Sequence, residues 1–240
     1  MYDLSNLSMS DIIRCGIDIR ALGEKSQTME AAAVELVQYL FNHFIDKQTG
    51  QPSCALVRFF KTHDIDQLSQ HLQDFANRLL QEKPATSSFK CYTLLATAGI
   101  EEVWQSRDKS QGHQAIPLPS KEIVKRIPMM RNLIKQMGLD IETVINPDPA
   151  LLLDLSKKTF NVFYVPDALG SPYIPAQEDF VKPYGIKSVI GFGGILPSGN
   201  VFSVIMFSKT AINSNTANLF NTLALNVKML ILPFDDYVFA

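Results

Sequence analysis

Residues 186–209 read IKSVIGFGGIL, then PSGN, then VFSVIMFSK. Two runs rich in β-branched and aromatic residues flank a four-residue turn, which is the pattern of a β-hairpin. Pro197 fixes φ at the start of the turn, and Gly199-Asn200 tolerates the left-handed region at its end. Neither run alternates polar with apolar, so both read as central strands covered on two faces. Gln177–Tyr184 forms a short helix ahead of the hairpin, stopping at Gly185. From Asn213 onward Leu219, Phe220, Leu223, Val227, Leu230 and Ile231 recur at steps of three and four, one apolar stripe of a helix that Pro233 ends.

The succession of short helix, glycine, strand, turn, strand and closing helix resembles the C-terminal half of a GAF domain. The segment VPDALGSPYIPAQEDFVKPYGIKSVIGFGG at 165–194 resembles the sensory segments at the N-terminus of bacterial sensor histidine kinases. The resemblance implies an α+β, GAF/PAS-like fold with a central antiparallel sheet of about five to six strands between helices. It also implies a sensory module of bacterial signal transduction, part of a two-component system, with a homodimer formed by the terminal helices. A histidine kinase would then be a partner or the remainder of a longer protein.

The rest of the chain is read from its own patterns. Residues 9–22 carry Ile12, Ile13, Cys15, Ile17, Ile19 and Leu22 on a short helix that Gly16 interrupts. Thr28 caps a longer one with Ala32, Ala33, Leu36, Val37, Leu40, Phe41 and Phe44 on a broad face. Cys54–Thr62 (CALVRFFKT) is the first strand. Over 64–81, Ile65, Leu68, Leu72, Phe75 and Leu79 step as an amphipathic helix, capped by Asp64 or Asp66 and inserted relative to the GAF pattern. Phe89–Ala98 is a second strand, with Ile100–Gln105 extending it as a third after Gly99. Ser106–Gln114 is a loop, Pro117 and Pro119 mark an extended segment, and Ser120 caps a helix to about Met137 that Pro128 splits. Asn146-Pro147-Asp148-Pro149 caps a short helix to Ser156, and Phe160–Val165 returns to strand. The expected divisions are a helical extension over 1–27, the GAF-like unit over 28–232 and a tail over 233–240.

Composition narrows the function classes. The chain has 240 residues, 46% hydrophobic and 19% charged, enough to bury a sizeable core, so disorder is not expected. A net charge of −2 with mixed signs gives no basic field for nucleic acid. The N-terminus lacks a basic segment followed by an apolar core, and no run of 18 apolar residues occurs, so a cytoplasmic protein without membrane insertion is expected. Cys15, Cys54 and Cys91 are scattered and odd in number, as for free thiols in a reducing compartment.

Little in the chain spells out chemistry. The phospho-accepting histidine and Gly-rich nucleotide boxes of a kinase are absent, and His43, His63, His71 and His113 lack the required neighbours. Gly191, Gly193 and Gly194 lie in a strand that leads to a hairpin, so they mark a close backbone approach or a pocket wall and not a dinucleotide loop. Cys54 and Cys91 sit in apolar strands, either inert or as redox nucleophiles. The thiol-bearing GAF relatives, bilin photoreceptors and free methionine sulfoxide reductases, carry theirs in loops with specific neighbours that this chain does not match. His113, in a loop near Trp104, contacts a haem or another ligand or is simply solvated. Tyr164, Tyr173, Tyr184, Phe163 and Phe192 cluster with Gly193 in the region that would line a cavity, as walls for a small planar ligand or as core filling. No cofactor is named by these residues. The leading expectation is a ligand- or partner-sensing module with no catalytic activity; the alternatives are a ligand-free dimerisation protein and a thiol-dependent enzyme.

Overall fold

The computed structural model describes residues 1–80, 88–148 and 161–239. Six antiparallel strands form one sheet: β1 (Cys54–Asp64), β2 (Lys90–Gly99), β3 (Ala115–Leu118), β4 (Phe163–Val165), β5 (Ser188–Ile195) and β6 (Val201–Ser208). Their order across the sheet is β3-β2-β1-β6-β5-β4. The β5–β6 hairpin is therefore half of the sheet's centre, and every residue of both strands is buried. Gly199 takes φ +83 in the turn. At Gly193 a Cβ would stand 2.0 Å from the Phe202 carbonyl oxygen, so any side chain there would push the two strands apart.

The two faces of the sheet carry different layers. On the upper face lie α1 (Met9–Ala21), α2 (Met29–His43) and α7 (Ser214–Ile231), over Val57, Phe59, Phe192, Phe202, Val204 and Met206. Ser8, Thr28 and Asn213 cap these helices through their side chains. Gly16 does not interrupt α1; it lets α1 and α7 approach, because a Cβ there would meet the Asn226 side chain at 2.6 Å. A smaller upper-face cluster at the β2–β3 edge is roofed by α3 (Gln70–Leu79). The lower face packs against α4 (Lys121–Lys125), α5 (Pro128–Gln136), α6 (Ile141–Ile145) and the 166–186 segment.

Several expectations shift by local chemistry. The helix expected over 64–81 starts later, because Ile65–Gln67 forms a separate 3₁₀ turn and α3 follows Ser69. Ile100–Gln105 is not a strand: Glu102–Trp104 is a 3₁₀ turn, and Gly99 ends β2 where Trp104 folds against it. The third strand is instead the proline-containing Ala115–Leu118 at the sheet edge, a position that tolerates a missing N–H. Pro128 does split its helix, α4 ending at Lys125 and α5 beginning at Pro128. The helix expected from 147 to 156 falls largely outside the described residues.

The chain's last residues fold back over the upper face. Met29 and Glu30 N–H groups, unsatisfied within the first turn of α2, donate to the Tyr237 and Val238 carbonyls at 2.8 and 2.9 Å. Asp235 accepts from Ser198 N–H and Oγ at 3.1 and 2.9 Å. By length and composition Ser214–Phe234 could cross a membrane; in this fold α7 within it supplies core to the sheet.

Candidate functional site

Two groups of unusual polar residues lie along β1, on opposite faces, because Arg58 and Lys61 interrupt an otherwise apolar strand an odd number of residues apart. On the lower face, Leu56, Arg58 and Phe60 point together. Arg58 pairs in register with Thr97 on β2 and Ile205 on β6. Its NH2 group lies 3.3 Å from Ser110 Oγ, a neutral acceptor, while its Nε and Thr97 Oγ1 are buried without partners. Burial alone pulls the guanidinium down to about 10, with no carboxylate acting on it. His113, at φ +60 in the loop that delivers Ser110, is exposed at the surface, yet partial desolvation and then the Arg58 charge push it below the ordinary imidazole value.

On the upper face Lys61 and His63 are buried. Lys61 Nζ is 3.9 Å from Asp235 Oδ1, and burial brings the ammonium down to about 8 despite that carboxylate. His63 has no hydrogen-bond partner on either ring nitrogen. Burial, then the nearby charge of Lys61, holds it well below the ordinary imidazole value. Register sets His63 directly opposite Cys91, a pairing that places the two Cβ atoms about 5 Å apart. Phe239 covers both: its ring lies 5.2 Å from that of His63 and it packs on the Cys91 cluster. Arg107 then sits over Phe239 at 5.2 Å and pairs with Glu30. Beside this seal a cleft of about 330 Å³ opens among His71, Leu72, Arg107 and Gln114.

The three thiols differ in position and agree in burial. Cys15 and Cys54 are embedded in the main upper core, while Cys91 belongs to the small edge cluster. Burial pushes each up to about 12. As folded, all three are protonated at neutral pH. Among the described residues no cluster of His, Cys, Asp and Glu could hold a metal ion.

The candidate residues read from sequence are distributed rather than gathered. Trp104 and Tyr184 meet on the lower face with ring centroids 4.6 Å apart, joined by Phe180. Tyr173 packs into the same lower core, and His113 lies near Arg58 in the adjoining loop. Phe192 faces the opposite layer against Phe220, and Tyr164 packs at the edge of that layer with its hydroxyl donating to the Ile212 carbonyl. Gly193 is the close approach of the hairpin backbone. Missed from sequence were Arg58, Thr97 and Ser110 below and the His63–Cys91 pair above. A charged residue inside CALVRFFKT was the available signal for Arg58; the pair needed the register.

An α+β layer of six antiparallel strands between helices, with the β5–β6 hairpin at its centre, defines a GAF-like fold. The solved structure of free methionine-R-sulfoxide reductase from Neisseria meningitidis, in complex with its substrate, shares it: TM-score 0.52 and 12% identity, over 98% of this chain and 95% of that one. At that identity the likeness shows the fold. No protein-family model matches the chain, and none of the curated proteins does. The match corrects the expected kinship with histidine-kinase sensor segments, and with it the two-component signalling role and the absence of catalytic activity. The structure that spans this chain end to end is an enzyme of the fold and not a kinase sensor.

Proposed function

We propose that this protein is a thiol-dependent enzyme acting on a small molecule, with Cys91 as its reactive group and His63 as the base beside it. The observation that carries this reading is the cross-strand pair itself: a thiol opposite an imidazole whose two nitrogens lack hydrogen-bond partners, near the end of the β1–β2 ladder. Cys15 and Cys54 have no such partner and no route out of the core. The fold's likeness to a reductase of free methionine-R-sulfoxide supports the class. Reaction requires the Phe239 seal to lift, since a thiol held near 12 is not a nucleophile at neutral pH. Once solvated, the thiol falls toward its ordinary value and His63 can take its proton. A substrate in the adjoining cleft would meet His71, Gln114 and Arg107, the last already held by the Glu30 carboxylate.

In such a reduction the Cys91 thiolate takes oxygen from a sulfoxide and a proton from solvent, leaving a thioether and a sulfenic acid. One thiol of an added dithiol then forms a mixed disulfide with loss of water, and its second thiol displaces Cys91 as the reduced thiol with the dithiol oxidised to its disulfide. Free thiols of this kind persist in a reducing compartment, which is why we place the protein in the cytoplasm. The test is turnover of free methionine-R-sulfoxide with a dithiol reductant. Cys91→Ser abolishes it and Cys54→Ser retains it; equal activity in the two variants, or none in the wild-type chain, removes the reading.

A further inference from the structure

We infer that Arg58, Thr97 and Ser110 form a binding site for a small organic carboxylate on the lower face of the sheet, beneath the 106–114 segment. This site is separate from Cys91, which lies on the other face, and does not depend on thiol chemistry. Arg58 is half-buried, and the part of a guanidinium taken out of water, here its Nε, needs an anion or an acceptor. That Nε has neither, and among the described residues the one acceptor of Arg58 is the neutral Ser110 hydroxyl. A second unpartnered donor, Thr97 Oγ1, stands in register beside it on the same face. Two adjacent strands thus present two unused donors toward one place, where a carboxylate has two oxygens to receive them.

The surroundings select among anions. The permanent positive charge that β1 presents to this place is the single Arg58 guanidinium. One cation suits a monoanion better than a phosphate dianion. Along the strands, one step to either side, the wall is aromatic: Phe60 stacked on Tyr92 at 4.6 Å, and Phe207 with Phe180, Trp104 and Tyr184. These flanks suit an apolar or aromatic substituent on the acid.

Thermal unfolding of the full chain in acetate, phenylacetate, phosphate and chloride at matched ionic strength tests the inference. In the wild-type chain the two carboxylates raise the melting temperature by about 3 °C over chloride, phenylacetate more than acetate. Arg58→Met loses that rise and, in chloride, melts at or above the wild-type temperature because the uncompensated charge is gone. Thr97→Val keeps a reduced rise. Equal melting of the wild type in carboxylate and chloride overturns the site. A rise that survives in Arg58→Met, or one produced by phosphate and not by carboxylate, does so too. An Arg58→Met chain less stable than the wild type in chloride, unfolded included, shows that the fold already satisfies Arg58 and ends the proposal.

Discussion

Lys90 is a buried and Arg58 a half-buried cation on the lower face, and the fold treats them differently. Lys90 Nζ donates to Asp64 Oδ2 and to Asn200 Oδ1, each at 3.0 Å, and Asn200 also accepts from Thr62 Oγ1, which in turn accepts from Val201 N–H. That network ties the ends of β1 and β2 to the hairpin turn. Arg58 lies six residues before Asp64 on the same strand and has a single neutral contact. The difference shows what a structural charge looks like here: a carboxylate and a chain of acceptors. Arg58 lacks both, which is why it reads as a ligand's partner and Lys90 as a clasp.

Removing the clasp is expected to have the largest effect. Asn200→Ala leaves the buried Lys90 ammonium short of an acceptor and should cost about 3 kcal/mol in urea unfolding. If Asn200→Ala and Arg58→Met destabilise alike, the contrast between the two cations fails. Lys61, a buried cation on the other face, is an intermediate case, with a carboxylate at 3.9 Å and no close bond to it. Its ammonium titrates at about 8 when folded against 10.5 when exposed, so the folded chain binds fewer protons between those values. Its contribution therefore rises with pH from 8 to 10.5, and its cost is fully present below 8. Lys61→Met should add about 2 kcal/mol at pH 7 and flatten that rise, read as the difference between the two chains across the window.

The smallest effect separates charged from neutral burial. His63 is kept neutral by the fold, whereas the unfolded chain protonates it near 6.5, so stability falls as pH drops through that value. By pH 6 the loss relative to pH 8 should be about 1 kcal/mol, and His63→Gln should remove it. His113, shifted the same way, contributes in the same direction and remains in the variant. An acid branch unchanged in His63→Gln would mean that the imidazole reaches water in the folded chain.

Much of the architecture was legible because it rests on local rules. The PSGN turn between two apolar runs, the Thr28 and Asn213 caps and the break at Pro128 each act within a few residues. Ile100–Gln105 was misread because its β-branched and aromatic residues match a strand, while Gly99 lets Trp104 fold onto the sheet instead. The candidate sites were less legible. Of the aromatics read as one cluster, Phe163, Tyr173 and Tyr184 share the lower face, but Phe192, eight residues after Tyr184, turned to the opposite face with Tyr164.

From sequence alone came the kind of fold: a hairpin too apolar for water on either side, helices with one wet face, and thiols destined for the interior. Which chemistry-bearing residues meet was settled by strand register, since a side chain's face alternates at each residue and a slip of one would exchange Arg58 for its neighbours. Pairing of β1 with β2 set His63 against Cys91 and Arg58 against Thr97, and the returning C-terminus then sealed the first pair while leaving the second without an anion. Such contacts join residues tens of positions apart, where composition and periodicity carry no information.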